Sequence, residues 1–118
     1  MKPGVAAAVV EGMLVPGDVT VQDGIVTAVG SSPAGPHGLA VPGFVDVQVN
    51  GFAGVDVLSA QADDYAAMGR ALAATGVTAY QPTLITAAPE TQVRALRAIA
   101  GAGDRPGGGP RLLGAHLE

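Results

Sequence analysis

Cysteine is absent from the 118 residues, which excludes a disulfide framework and any thiolate metal site. Tryptophan is absent as well, and aromatic residues make up only 3% of the chain. Aromatic side chains bury the most area each. Much of the 48% hydrophobic share is alanine, so a core built from these residues alone is thin. Basic residues are scarce: six Lys and Arg stand against ten Asp and Glu, for a formal charge of -4. Without a basic stripe there is nothing to neutralise phosphates, and nucleic acid is not an expected partner. Charged residues reach only 14%, too few for an intrinsically disordered chain. No apolar run approaches the roughly 20 residues of a membrane helix. Residues 5–10 are apolar but too short for a signal-peptide core. A cytoplasmic protein with no membrane partner is expected.

What is present falls into two regions. In residues 1–40, valine-bearing segments at 5–10, 13–15, 19–22 and 25–29 read as strands. Glu11-Gly12, Pro16-Gly17-Asp18 and Asp23-Gly24 separate them, and Asp-Gly between β-type runs is a hairpin signal. The expectation is one small antiparallel sheet lacking a second layer. A serine-, proline- and glycine-rich loop holding His37 follows at 31–38.

In residues 41–118 the period changes. A strand is expected at 44–49, and then a helix at 60–75 capped by Ser59, with Tyr65, Met68 and Leu72 on one face. Gly76 suits the left-handed position just past that helix. A second strand is expected at 77–85, and a second helix from Pro89 to about residue 100, with Val93, Leu96 and either Ile99 or Ala100 inward. A glycine-rich loop at 101–110 and a third strand at 111–118 complete the pattern. Strands alternating with helices mean βαβ units and a parallel sheet. A (β/α)8 barrel needs about eight such units and roughly 250 residues, so the chain is expected to be the opening part of a longer protein.

Active sites in parallel α/β folds lie at the C-terminal ends of the strands. Three places qualify. At the third strand, His116 and Glu118 are two apart and share a face, and both side chains are metal-ligand types. Spacing alone favours an ordinary strand histidine beside a solvated glutamate over a metal pair. At the first strand, Gln48 and Asn50 also share a face. Neutral amides are poor metal ligands but can orient a carboxylate or a substrate; spacing alone favours plain polar residues at a strand end. Asp46 lies on the same side as Gln48, with no nearby cation to assign it a role. Asp56, Asp63 and Asp64 read as loop and helix N-terminal acids. His37 reads as an exposed loop residue. The second place is Pro82-Thr83-Leu84-Ile85-Thr86, at the end of the second strand.

The three strand ends also carry a resemblance. Val41-Pro42-Gly43-Phe44-Val45-Asp46-Val47-Gln48-Val49-Asn50-Gly51 looks like the first barrel strand of N-acetylglucosamine-6-phosphate deacetylases, members of the amidohydrolase superfamily. Gln81-Pro82-Thr83-Leu84-Ile85-Thr86 is similar to that family's next strand end. Leu113-Gly114-Ala115-His116-Leu117-Glu118 is similar to its Gly-x-His-Leu-Glu-Gly-Pro motif, stopping before Gly-Pro. Order and spacing agree over about residues 5–118.

The resemblance implies an α/β fold: the start of a (β/α)8 metal-dependent hydrolase barrel, preceded by part of a small β-sandwich. It implies hydrolysis of N-acetylglucosamine 6-phosphate, an amino-sugar phosphate, to glucosamine 6-phosphate and acetate. Glu118 matches the glutamate that binds a divalent metal, zinc or similar. Gln48 and Asn50 match positions where many related amidohydrolases carry a His-x-His pair, and the Gln-x-Asn version implies one metal rather than two. His116 takes a supporting role beside Glu118. The catalytic aspartate and two histidine ligands of the family lie on later strands, so no catalytic residue is expected in this chain and it is expected to be inactive alone. A homodimer is expected for the full-length form. Two other readings stand beside this one. One is a different cyclic-amide hydrolase, against which the missing His-x-His counts. The other is a non-catalytic binding or assembly module derived from an amidohydrolase.

Overall fold

The structure, a computed structural model, describes residues 1–103 and 109–118. The chain forms two compact units, Met1–Pro42 and Gly43–Glu118.

In the first unit, β1 (Ala7–Val10) pairs antiparallel with β2 (Met13–Pro16), and β3 (Asp18–Gln22) pairs antiparallel with β4 (Ile25–Ser31). Both turns have two consecutive residues at positive φ: Glu11 and Gly12 at 50° and 76°, Asp23 and Gly24 at 50° and 78°. That backbone matches the right-handed twist of a two-residue hairpin. The single antiparallel sheet expected here is instead two sheets. β5 (Leu39–Ala40) pairs parallel with β1, giving the order β2-β1-β5, and β3-β4 stands as a separate ribbon. The break falls at Gly17, whose φ of 112° is closed to other residues and whose N–H donates to the Ala6 carbonyl at 2.8 Å. A Cβ on Gly17 would sit 2.6 Å from the Gly30 carbonyl carbon, so the two backbones approach as only glycine allows.

Asp18 fastens the start of the chain to β3. It is 3% exposed, and its carboxylate accepts the N–H groups of Gly4 (3.1 Å), Val5 (3.1 Å) and Val19 (2.8 Å). Burial pushes the Asp18 carboxyl up, but those backbone donors and the charge of Lys2 outweigh it and hold it below its ordinary value of 3.8. A depressed folded-state pKa contributes stability above the unfolded value that is lost as pH falls through the folded one. Amide hydrogen exchange at Gly4 and Val5 is therefore expected to be slow and pH-stable, after correction for intrinsic rates, at neutral pH. Protection should fall on acidification below about pH 4. Asp18→Asn should show weakened protection already at neutral pH.

In the second unit, β6 (Phe44–Val49) is followed by a short hairpin, β7 (Gly51–Phe52) with β8 (Val55–Asp56). Then come α1 (Asp64–Ala73), β9 (Val77–Leu84), α2 (Pro89–Gly103), β10 (Arg111–Leu112) and β11 (His116–Leu117). β9 is central: β6 pairs parallel on one side, and β10 and β11 pair parallel on the other. The β7-β8 hairpin has no counterpart in the sequence reading; its turn, Ala53-Gly54, again has φ of 51° and 82°.

Several boundaries differ from expectation. The first helix starts at Asp64 with Asp63 as N-cap, and Ser59 does not cap it. Ser59 Oγ instead donates to the Asp56 carboxylate at 3.1 Å, and Leu58 N–H donates to the same group at 3.1 Å. This local aspartate turn competes successfully with an earlier helix start. Gly76, at φ 89°, lies two residues past the C-cap Ala74 rather than directly after it, and its carbonyl accepts Phe44 N–H at 2.9 Å. The second helix runs on to Gly103, into the stretch expected as a loop; residues 104–108 of that stretch lie outside the described residues. Its buried residues are Ala95 and Ile99, one turn apart, while Val93 is 45% exposed. The third strand is two short pairings. Gly114, at φ 113°, takes the chain out of extended geometry between them.

The helices cover one face of the sheet. Tyr65, Met68 and Leu72 from α1 and Ala95 and Ile99 from α2 close on Tyr80 and Leu84 of β9. Tyr65 Oη donates to the Val57 carbonyl at 3.3 Å, and burial first, then Tyr80, Asp56 and Asp64, push its pKa to about 12. Met68 is fully buried. Met68→Ala is expected to destabilise the second unit by about 2–5 kcal/mol through lost contacts and a residual cavity, measured by denaturant unfolding.

Candidate active site

β-strand alternation determines what reaches the far face. Tyr80, Pro82 and Leu84 are buried, and Tyr80 and Leu84 belong to the core under the helices. Their neighbours Gln81 and Thr83 therefore point to the opposite side of the sheet. Register aligns the three strand ends: Val49 of β6 stands opposite Pro82, His116 opposite Thr83, and Leu117 opposite Leu84. The C-terminal ends of β6, β9 and β11 thus lie side by side.

Gln48, Asn50 and Glu118 meet there. Gln48 Nε2 donates to Glu118 Oε1 at 3.4 Å, and Asn50 Nδ2 donates to Glu118 Oε2 at 3.5 Å. Each carboxylate oxygen thus faces one neutral amide, across 70 and 68 residues of chain. Both contacts are long for hydrogen bonds, and all three side chains are exposed, so the carboxylate keeps lone pairs open to a ligand. Thr86 Oγ1 donates to the Glu118 carbonyl at 3.1 Å, and Glu118 N–H donates to the Leu84 carbonyl at 2.9 Å, which anchors the residue at both backbone groups. His116 is half-buried, with Nδ1 3.3 Å from Thr83 Oγ1. Gln81 Nε2 donates to the Ala115 carbonyl at 3.3 Å.

Asp46 is half-buried and accepts the backbone N–H of Gln48 at 3.1 Å, which ties it to the strand that presents Gln48. His37 is exposed in the first unit, between β4 and β5. Sequence reading assigned no role to Gln81, Thr83 or Thr86. Thr83 was detectable as a hydroxyl on an otherwise apolar strand end, a group that needs a partner once buried. Thr86 lies past that strand and carried no such signal. Among the described residues no group of three or more His, Cys, Asp or Glu is placed to hold a metal ion. Among the described residues Glu118 is the carboxylate that both Gln48 and Asn50 reach.

No family model matches the chain. N-acetylglucosamine-6-phosphate deacetylase of Mus musculus is 41% identical over 83 residues, covering 68% of this chain and 20% of that protein. N-acetylgalactosamine-6-phosphate deacetylase of Escherichia coli O157:H7 is 33% identical over 112 residues, 92% of this chain and 30% of that protein. The crystal structure of N-acetylglucosamine-6-phosphate deacetylase from Thermotoga maritima superposes with a TM-score of 0.84 at 27% identity, over 99% of this chain and 31% of that one. The chain belongs to the N-acetylglucosamine-6-phosphate deacetylase family. It spans about a fifth to a third of the length of the relatives it matches.

The junction of this deacetylase-family chain is open to direct test. Glu118→Gln replaces the shared acceptor with an amide, so the side-chain NH2 signals of Gln48 and Asn50 are expected to shift in NMR spectra. Signals of Tyr65 and Met68, in the core on the helix side, should stay in place.

Proposed function

We propose that this chain supplies the opening βα units of a (β/α)8 barrel, with part of a small β-sandwich, to a metal-dependent hydrolase. Its reaction is removal of acetate from N-acetylglucosamine 6-phosphate, giving glucosamine 6-phosphate. The observation that carries this reading is the convergence of Gln48 and Asn50 from one strand end on Glu118 from another, in a chain whose relatives are named as amino-sugar-phosphate deacetylases.

A divalent metal held there would act as a Lewis acid on the acetamide carbonyl and would make water a better nucleophile. Within this chain Glu118 provides one carboxylate ligand, held at its backbone by Leu84 and Thr86. Gln48 and Asn50 orient that carboxylate and, being neutral, leave the site suited to one metal ion. His116 supports Glu118 from the same strand. The proton-transferring carboxylate and further metal ligands lie outside these 118 residues. This reading extends to a cytoplasmic, homodimeric whole enzyme. Among the described residues no helix is long and apolar enough to cross a membrane.

A second substrate, N-acetylgalactosamine 6-phosphate, is favoured by the alignment over 92% of the chain with the Escherichia coli relative. The two sugars differ at one hydroxyl, so acetate release from each separates them. The native-length protein is expected to release acetate from N-acetylglucosamine 6-phosphate faster than from its epimer. The 118-residue chain alone is expected to release none. Turnover by the chain alone would place the missing groups within it and overturn this assignment. Failure of the native-length protein on both sugars, with tight binding of another ligand, would favour a non-catalytic module.

A further inference from the structure

Among the described residues of the second unit Thr83 is the buried polar one, 1% exposed at the C-terminal end of the central strand. A valine there would fill nearly the same volume with no hydroxyl to satisfy, so a buried threonine requires hydrogen-bond partners. Its Oγ1 has two neighbours: the Gln81 carbonyl at 3.5 Å and His116 Nδ1 at 3.3 Å. A hydroxyl carries one proton, and a carbonyl can only accept. Both contacts are hydrogen bonds together in one arrangement alone. Thr83 donates to the Gln81 carbonyl, and His116 Nδ1–H donates to Thr83 Oγ1.

We propose that Thr83 is a positioning residue that holds neutral His116 in the Nδ1–H form, leaving Nε2 as the nitrogen that offers its lone pair to a donor group on a bound ligand. A neutral imidazole has one donor and one acceptor nitrogen, and the bond made by one decides the role of the other. Register supports the assignment, because Thr83 and His116 are direct partners across the β9-β11 pairing and share the face away from the helices. Gln81, two residues earlier on that face, donates to the Ala115 carbonyl at 3.3 Å and holds the backbone that carries His116. The ligand class, an amino-sugar phosphate with hydroxyl and N–H donors, rests on the deacetylase reading above. The Thr83–His116 pair itself does not.

The test is the 15N spectrum of the imidazole in the full 118-residue chain, recorded at about pH 8, above the ordinary histidine range. The sequence has two histidines, so His37→Gln leaves His116 alone in the spectrum. Wild type is expected to show a protonated Nδ1 and an unprotonated Nε2. Thr83→Val should shift the balance toward the Nε2–H form, and Thr83→Ser should restore the Nδ1–H form. A dominant Nε2–H form in the wild-type chain, or an unchanged spectrum in Thr83→Val, would overturn the proposal. The wild-type spectrum decides it even if a variant does not fold. In the native-length protein, the same spectrum with no acetate release would leave Thr83 in place and sink only the deacetylase reading.

Discussion

The parallel pairing of β9 with strands on both sides is the constraint on which the second unit depends. β9 brings Tyr80 and Leu84 to the helices, and β6, β10 and β11 all pair with it. The same alternation that commits Tyr80 and Leu84 to the core commits Gln81 and Thr83 to the other face. Core and candidate site are thus two readings of one pleat, and a one-residue slip of β9 would exchange them.

Polar anchoring at the strand ends is layered. Glu118 turns its exposed carboxylate to Gln48 and Asn50 and its backbone to Leu84 and Thr86. His116 and Ala115 are held by Thr83 and Gln81 in turn. The Glu118 carboxylate, its amide partners Gln48 and Asn50, and Thr86 are exposed, while Leu84, Thr83, Gln81 and His116 behind them are buried or half-buried.

Much of this was legible in the sequence because it rests on local rules. Asp23-Gly24 and Glu11-Gly12 announced their hairpins through the positive φ that such turns need. The spacing of Tyr65, Met68 and Leu72 announced the buried face of α1. The strand-end pairs Gln48/Asn50 and His116/Glu118 followed from a period of two. What escaped depends on partners distant along the chain. The parallel β1-β5 pairing, the separate β3-β4 ribbon and the Thr83–His116 contact have no local signature. Ser59 misled because its hydroxyl donates to Asp56, three residues before it, instead of accepting a backbone N–H at the helix start.

The two units also differ in how far the chain must travel before a strand finds its neighbour. In the first, Val10 meets Met13 and Gln22 meets Ile25 across two-residue turns, and the short β5 returns to β1 from further along the chain. In the second, Phe44 meets Val77 and Thr83 meets His116, each across a whole helix. The entropy of closing such loops is spent before any ladder bond forms, so contact order sets the folding sequence. The hairpins are the fast events. The sheet that assembles Gln48, Asn50 and Glu118 is the slow one, and until it forms the candidate site has no shape at all.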